Sequence, residues 1–315
     1  MLIITKKDIE KNCKWNLLID EIGQAFKSNL KFPQRHHHTI AQNKTRDSSL
    51  LIMPGWKEGA YIGIKIVNVF PDNSKKNLPS VIASYILHDF NTGTILANIE
   101  GSELTAKRTM AASALASKFL SRENSTSLLI VGTGRLAMEA AFAHSAVRDI
   151  KKVVVWGRDI SKAKKVSDFY SRDGLNCLFT EDLKSAVVDS DIISCVTTSI
   201  DPLILSDWVS EGTHVDLVGA FTPTMRESDS ELIARSRVFV DTNEGALSEA
   251  GDLLIPIKEG VFTKDSVIAN LYELTQGKKQ GRISSEEITV FKSVGASIED
   301  YAAAKFFYEI ISKAN

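Results

Sequence analysis

The strongest chemical signal in this chain is the segment Leu128-Leu-Ile-Val-Gly-Thr-Gly-Arg-Leu-Ala137. Gly132 permits a tight turn, Gly134 lets the backbone approach a pyrophosphate, and Ala137 can stand where a helix meets a strand. A helix begun here turns free N–H groups and a positive dipole end toward phosphates. The next strand-like run ends Val153-Val-Val-Trp-Gly-Arg-Asp159. A site for the unphosphorylated dinucleotide usually carries an acid there for the ribose hydroxyls. The expected position is Gly157, which has no side chain, and Arg158 follows it. A guanidinium pairs with a 2′-phosphate and stacks on adenine. This combination predicts NADPH as the preferred cofactor, with NADH possible. The competing reading leaves Arg158 on the surface and gives Asp159 the acid's work.

Three cations outside that loop could hold an anion. Leu104, Arg108, Ala112, Leu115 and Phe119 share one face of a helix, so Arg108 lies on an apolar stripe and Lys107 points elsewhere. A buried arginine needs an anionic partner. Either a structural carboxylate or a bound ligand would serve. Lys65 lies mid-strand in YIGIKIVNV, on the face of Tyr61, Gly63, Val67 and Val69, where a lysine is ordinarily solvated. Arg35 precedes His36-His37-His38. Consecutive histidines point in different directions and make a poor metal cage, so no metal site is expected. Cys13, Cys177 and Cys195 fit neither zinc spacing nor a disulfide framework.

These residues need elements to carry them. The first ~30 residues read as helical, although Asn12 to Asn16 blurs the stripe. From Leu50 the pattern changes to LLIM, YIGIKIVNVF, SVIASYILHDF and TILANIE. Pro-Gly at 54–55, Pro-Asp-Asn at 71–73 and Asn-Thr-Gly at 91–93 separate these runs, which predicts an antiparallel sheet. An Ala-rich helix follows from Glu103 to Leu120, and the polar run Ser121–Ser127 reads as a linker. Strands then alternate with helices. LLIVG, KKVVVWG, DIISCV, THVDLVG and RVFVDT are nearly continuous apolar runs, as parallel strands buried on both faces require. EEITVFKSVG reads as a strand or turn, and a closing amphipathic helix ends the chain. The fold class is α/β: a Rossmann doubly wound parallel sheet beside a smaller α+β domain. The expected division is 1–120, completed by the helix 296–315, and 121–295.

Bulk properties exclude several classes. At 315 residues and a net charge of −1, nothing calls for nucleic acid or an anionic membrane as partner. No run approaches the ~18 apolar residues of a transmembrane helix. The start MLIITKKDIEKN is too short in apolar residues for a signal peptide. The expectation is a reduced, cytoplasmic protein.

Taken together, LLIMPGW, GIKIVNVFPDN, LTAKRTMAASALAS, VGTGRLA, GAFTPTMRESD and ITVFKSVG resemble the ornithine cyclodeaminase/mu-crystallin family over nearly the whole chain. RHHHTI, VVVWGR, LVGAFTPTMRESD and EAGDL are most like its bacterial members that reduce Δ1-pyrroline-2-carboxylate. The resemblance implies a homodimer whose first domain carries the substrate site. It implies that Lys65 and Arg108 hold the carboxylate of a cyclic imino acid, with Lys65 catalytic, Arg35 as a third cation and Arg46 competing for Arg35's role. Cofactor contacts are implied at Ser80, Arg108, Gly132, Thr133, Gly134, Arg135, Leu136, Thr197, Val218, Gly219, Ala220 and Phe221. Ser293 and Val294 match positions near cofactor and substrate. The implied reaction is NAD(P)H-dependent reduction of Δ1-pyrroline-2-carboxylate to L-proline, with the six-membered analogue giving L-pipecolate. Breakdown of hydroxyproline or of D-amino acids could supply the imine. The family also implies two alternatives, an alanine-type dehydrogenase acting on an open-chain imine and a non-catalytic NADPH-dependent ligand carrier. Cyclodeaminases carry an aspartate where this chain has Phe221, which can neither shuttle a proton nor hold an ammonium by charge.

Overall fold

In the computed structural model all residues are described except 29, 34, 43–46, 77 and 315. The chain forms two compact units, residues 1–108 with 297–315, and residues 109–296. The boundary falls inside the helix Gly101–Leu120 and not in the polar run that follows it. That run is packed: Ser121 and Ser125 are buried, and the Arg148 guanidinium donates to the carbonyls of Ser121 and Arg122.

Unit 1 is built on a six-stranded sheet in the order β1-β6-β5-β4-β3-β2. The strands are β1 (Leu2–Ile4), β2 (His36–Ile40), β3 (Ser48–Trp56), β4 (Tyr61–Val69), β5 (Val81–Asp89) and β6 (Ile95–Glu100). All neighbours from β2 to β6 are antiparallel, while β1 lies parallel to β6. The opening segment is therefore a short strand followed by helices Lys6–Asn12 and Trp15–Lys27, not helix throughout. Thr5 explains the first helix start, because its hydroxyl and Asp8 form a reciprocal capping box. Pro54 and Gly55 do not turn the chain. They sit inside β3 opposite Ile64 and Gly63, and the Phe32 ring fills the space beside Gly55. The turn comes later, at 57–60.

The closing helix Ser297–Ala314 packs on helix Trp15–Lys27 and across β3, β4 and β5. Helix Gly101–Leu120 is buried on nearly every side, so its polar residues cannot be sorted by a single stripe. Lys107, off the apolar stripe, is nevertheless only 6% exposed. Its ammonium sits 3.6 Å from Glu103 and over the Trp15 ring.

Unit 2 holds an eight-stranded, wholly parallel sheet. Its strands are β7 (Ser127–Val131), β8 (Lys152–Trp156), β9 (Cys177–Thr180), β10 (Ile192–Cys195), β11 (His214–Leu217), β12 (Arg237–Val240), β13 (Val267–Asn270) and β14 (Thr289–Lys292). The order β9-β8-β7-β10-β11 is the 3-2-1-4-5 arrangement of a Rossmann domain. Every residue of β10, β11 and β14 is buried, including the polar His214, Asp216, Thr289 and Lys292, as strands covered on both faces require. Strand order reverses between β7 and β10, and ligands in such sheets bind outside the carboxyl ends at that point. Among the described residues no helix is long and apolar enough to cross a membrane.

Candidate functional site

The carboxyl ends of β7, β8 and β10 enclose a cavity of about 300 Å³. Gly132, Thr133, Gly134, Gly157, Arg158 and Thr197 line it. Gly132 turns the chain at φ +128°, a conformation that L side chains rarely adopt. A Cβ there would also come within 2.9 Å of the Val196 carbonyl. At Gly134 nothing lies within 4 Å of where a Cβ would stand, so the loop leaves open space. The backbone of the loop is therefore open to close approach from the cavity. Gly157 has a second reason to be glycine, since a Cβ would sit 2.5 Å from Thr133 Cγ2. The missing acid at 157 thus follows from how closely β8 meets the glycine loop.

Arg158 is exposed at the cavity rim. Asp159, the alternative ribose acid, is engaged elsewhere. Its carboxylate accepts from the backbone of Ser161 and Lys162, capping the helix Ile160–Arg172. The Ser161 hydroxyl, donating to it at 2.6 Å, and these backbone bonds hold its carboxyl below the usual carboxylate range. The glycine loop leads through a 3₁₀ turn, Leu136–Met138, into the expected helix, which is short, Ala140–Ser145. Ala137 is fully buried, and its carbonyl accepts from the Tyr170 hydroxyl at 2.6 Å. Arg135 points to Glu139, 2.6 Å away.

Sequence reasoning missed the residue that ties the other loops together. Glu227, fully buried, accepts from Thr197 N at 2.6 Å, Thr197 Oγ1 at 2.8 Å, Gly219 N at 2.8 Å and Ala220 N at 3.3 Å. Its own N–H donates to Asp252, and Asp252 pairs with the fully buried Lys292 at 3.0 Å. Burial pushes the Glu227 carboxyl up to about 7, against the pull of Lys292. A lysine ending an otherwise apolar strand, ITVFK, is the one signal of this network in the sequence. Val218 is buried and its N–H donates to the Cys195 carbonyl, whereas Phe221 is 48% exposed. Ser293 and Val294 are held by Asp241, which accepts from Ser293 Oγ and from the N–H groups of Val294 and Gly295.

Unit 1 brings Lys65 and Arg108 together. Lys65 is not solvated; it is 3% exposed, flanked across the sheet by Met53 and Tyr85. Its ammonium lies 2.6 Å from Asp300 Oδ2. Arg108 Nε donates to Asp300 Oδ1 at 2.8 Å, and its Nη1 donates to Glu299 Oε2 at 2.6 Å. Buried Arg108 needs an anionic partner, and the closing helix supplies two. Burial lowers the Lys65 ammonium to about 8, with Asp300 opposing the shift and Arg108 adding to it. For Arg108 burial acts in the same downward sense, but Asp300 and Glu299 together outweigh it and raise its pKa. Arg35 is half-buried just ahead of β2. Ser80 is half-buried, and its carbonyl accepts from Phe70 N. Arg46 lies outside the described residues. On β2, His36 and His38 face each other at 6.4 Å, while His37 meets Ser49 Oγ.

The model of the ornithine cyclodeaminase/mu-crystallin family matches residues 1–315. A Δ1-pyrroline-2-carboxylate reductase of Colwellia psychrerythraea is 39% identical over 96% of this chain and 97% of its own. Among solved structures, the Thermococcus litoralis Δ1-pyrroline-2-carboxylate reductase in complex with NADH and L-proline superposes with a TM-score of 0.93. It is 36% identical and covers 100% of this chain and 98% of its own. An archaeal alanine dehydrogenase dimer with bound NAD reaches 0.90 at 32% identity, covering 100% and 97%.

Proposed function

The chain belongs to the ornithine cyclodeaminase/mu-crystallin family, and from that premise we propose that it reduces a cyclic 2-imino acid, Δ1-pyrroline-2-carboxylate, to L-proline with NAD(P)H. The observation that carries this reading is the pairing of Lys65 and Arg108 on one buried carboxylate. Two cations held 2.6 and 2.8 Å from the same aspartate form a preset fork for a substrate carboxylate. The likeness to a reductase solved with NADH and L-proline supports it.

The loops at Gly132–Gly134, Thr197 and Gly219–Ala220 would hold the dinucleotide. When bound, the reduced nicotinamide supplies a hydride to C2 of the imine. Arg108, with a planar fork of donors, orients the substrate carboxylate, and Lys65 adds a second charge. The electrons of the C=N bond move to nitrogen, and a neutral imine then needs one proton there. Lys65 Nζ is suited to give it, because its hold on the proton is weakened to about 8. The reading prefers NADPH, with NADH usable: Gly157 offers no acid, Asp159 is spent on its helix, and Arg158 stands exposed beside Lys162 at the cavity. It also includes a homodimer. Unit 1 exposes Val81 and Ile82 at the start of β5 and Ile95 at the start of β6, apolar side chains that a second copy would cover.

Steady-state kinetics of Arg108→Ala and Lys65→Ala test the fork. Arg108→Ala is expected to raise KM and lower kcat, and Lys65→Ala to lower kcat strongly. Wild-type constants in both variants would remove it. The second reading, an open-chain imine formed from pyruvate and ammonia, is favoured by the likeness to the alanine dehydrogenase. Direct competition between the two substrates separates them.

A further inference from the structure

We propose that Asp300 is a positioning residue: its carboxylate, bridging Lys65 Nζ and Arg108 Nε, sets the spacing of the two cations and keeps Lys65 charged so that the pair can receive a carboxylate. The inference rests on the reading above and assigns a role that neither spacing nor motif suggested.

The geometry is specific. Asp300 uses one oxygen for each cation, Oδ2 for Lys65 at 2.6 Å and Oδ1 for Arg108 at 2.8 Å. Both cations come from other elements, Lys65 from the middle of β4 and Arg108 from helix Gly101–Leu120. Neither can hold its place by local structure alone. Long side chains lose much rotamer freedom when fixed, and a shared carboxylate fixes both at once. Asp300 is 1% exposed and Glu299 is fully buried, so neither is screened as a surface ion pair would be. The bonds occupy Nε and Nη1 of Arg108 and leave its Nη2 outside both.

Two cations face two carboxylates, so the resident groups are already balanced, and an incoming carboxylate is recognised by directed N–H groups more than by net charge. Their direction is what Asp300 sets. The groups facing Lys65 are Arg108 from its helix, Glu299 and Asp300 from the closing helix, and Tyr85 from β5. Of these Asp300 is the strongest influence favouring the ammonium. A purely structural role, docking the closing helix, is also served by the Lys305–Glu21 pair at 2.7 Å.

The test is the pH dependence of kcat/KM for the cyclic imine in wild type, Asp300→Asn and Asp300→Glu, with calorimetric binding of L-proline to each over the same pH range. Asp300→Asn keeps the shape and removes the charge. An opposite charge this close shifts a pKa by ~1–3 units. The alkaline limb is therefore expected to move toward acid by about one unit or more, cutting the charged fraction of Lys65 at pH 8 about fivefold. Asp300→Glu keeps the charge but displaces it, so the limb stays and KM rises several-fold. An unmoved limb and unchanged proline affinity in Asp300→Asn would overturn the proposal. If Asp300→Asn does not fold, wild-type KM and proline affinity in Asp300→Glu overturn it equally. Wild type without turnover on the cyclic imine would sink the substrate reading instead, and the proline titration then decides the role of Asp300.

Discussion

Glu227→Gln removes one acceptor from a carboxylate that serves four donors, and its cost follows from the geometry. The amide keeps one oxygen and gains an NH₂ that cannot accept. Facing the oxygen toward Gly219 N and Ala220 N preserves two bonds. The NH₂ then meets Thr197, whose hydroxyl can rotate to accept, but Thr197 N–H is left against a donor. One buried N–H without a partner costs about 1–3 kcal/mol. That loss also frees the Thr197 loop from the Gly219 turn, and dinucleotide affinity is expected to fall up to tenfold, which corresponds to about 1.4 kcal/mol. The pH sign is set by a carboxyl raised from 4.5 to about 7. Its contribution to stability is full below 4.5 and is lost as pH rises through about 7, so this part of the pH dependence is present in wild type and absent from the variant. Urea unfolding at pH 5 and pH 8, with NADPH titration followed by fluorescence, measures both. Stability within about 0.5 kcal/mol of wild type together with unchanged NADPH affinity would refute the reasoning.

Two further outcomes follow from the Rossmann unit. Arg158→Ala is expected to weaken NADPH at least tenfold and leave NADH nearly unchanged, as loss of a charge-assisted phosphate pair requires; equal loss for both cofactors would place the arginine outside the 2′-phosphate contact. Lys292→Met strands the buried Asp252 carboxylate and is expected to cost about 3–5 kcal/mol in urea unfolding; a loss under about 1 kcal/mol would contradict the pairing seen here.

Local signals were legible from residues alone. The glycine loop, Gly157 and the parallel strands of unit 2 depend on short-range spacing and burial on both faces, which apolar runs report directly. Lys65 was not legible by alternation. Its partner is Asp300, and the bond that completes the cluster spans 192 residues between Arg108 and Asp300. Family likeness singled out Lys65 and Arg108, but not the carboxylates that hold them. Pro54-Gly55 shows the limit of turn chemistry, because Phe32 packing keeps the pair within a strand. Helix Gly101–Leu120 shows the limit of the stripe argument, since burial on nearly all sides hides which polar residue has a partner. Glu227 and Asp252 are residue types that composition would place on the surface, and only the fold reveals the backbone donors they serve.

The most direct test of the central claim is the loss of nicotinamide absorbance when the purified chain meets Δ1-pyrroline-2-carboxylate, first with NADPH and then with NADH, with the product resolved on a chiral column. The expected result is rapid oxidation that yields L-proline, faster with NADPH. Tight NADPH binding without oxidation, or turnover confined to pyruvate and ammonia, would contradict it.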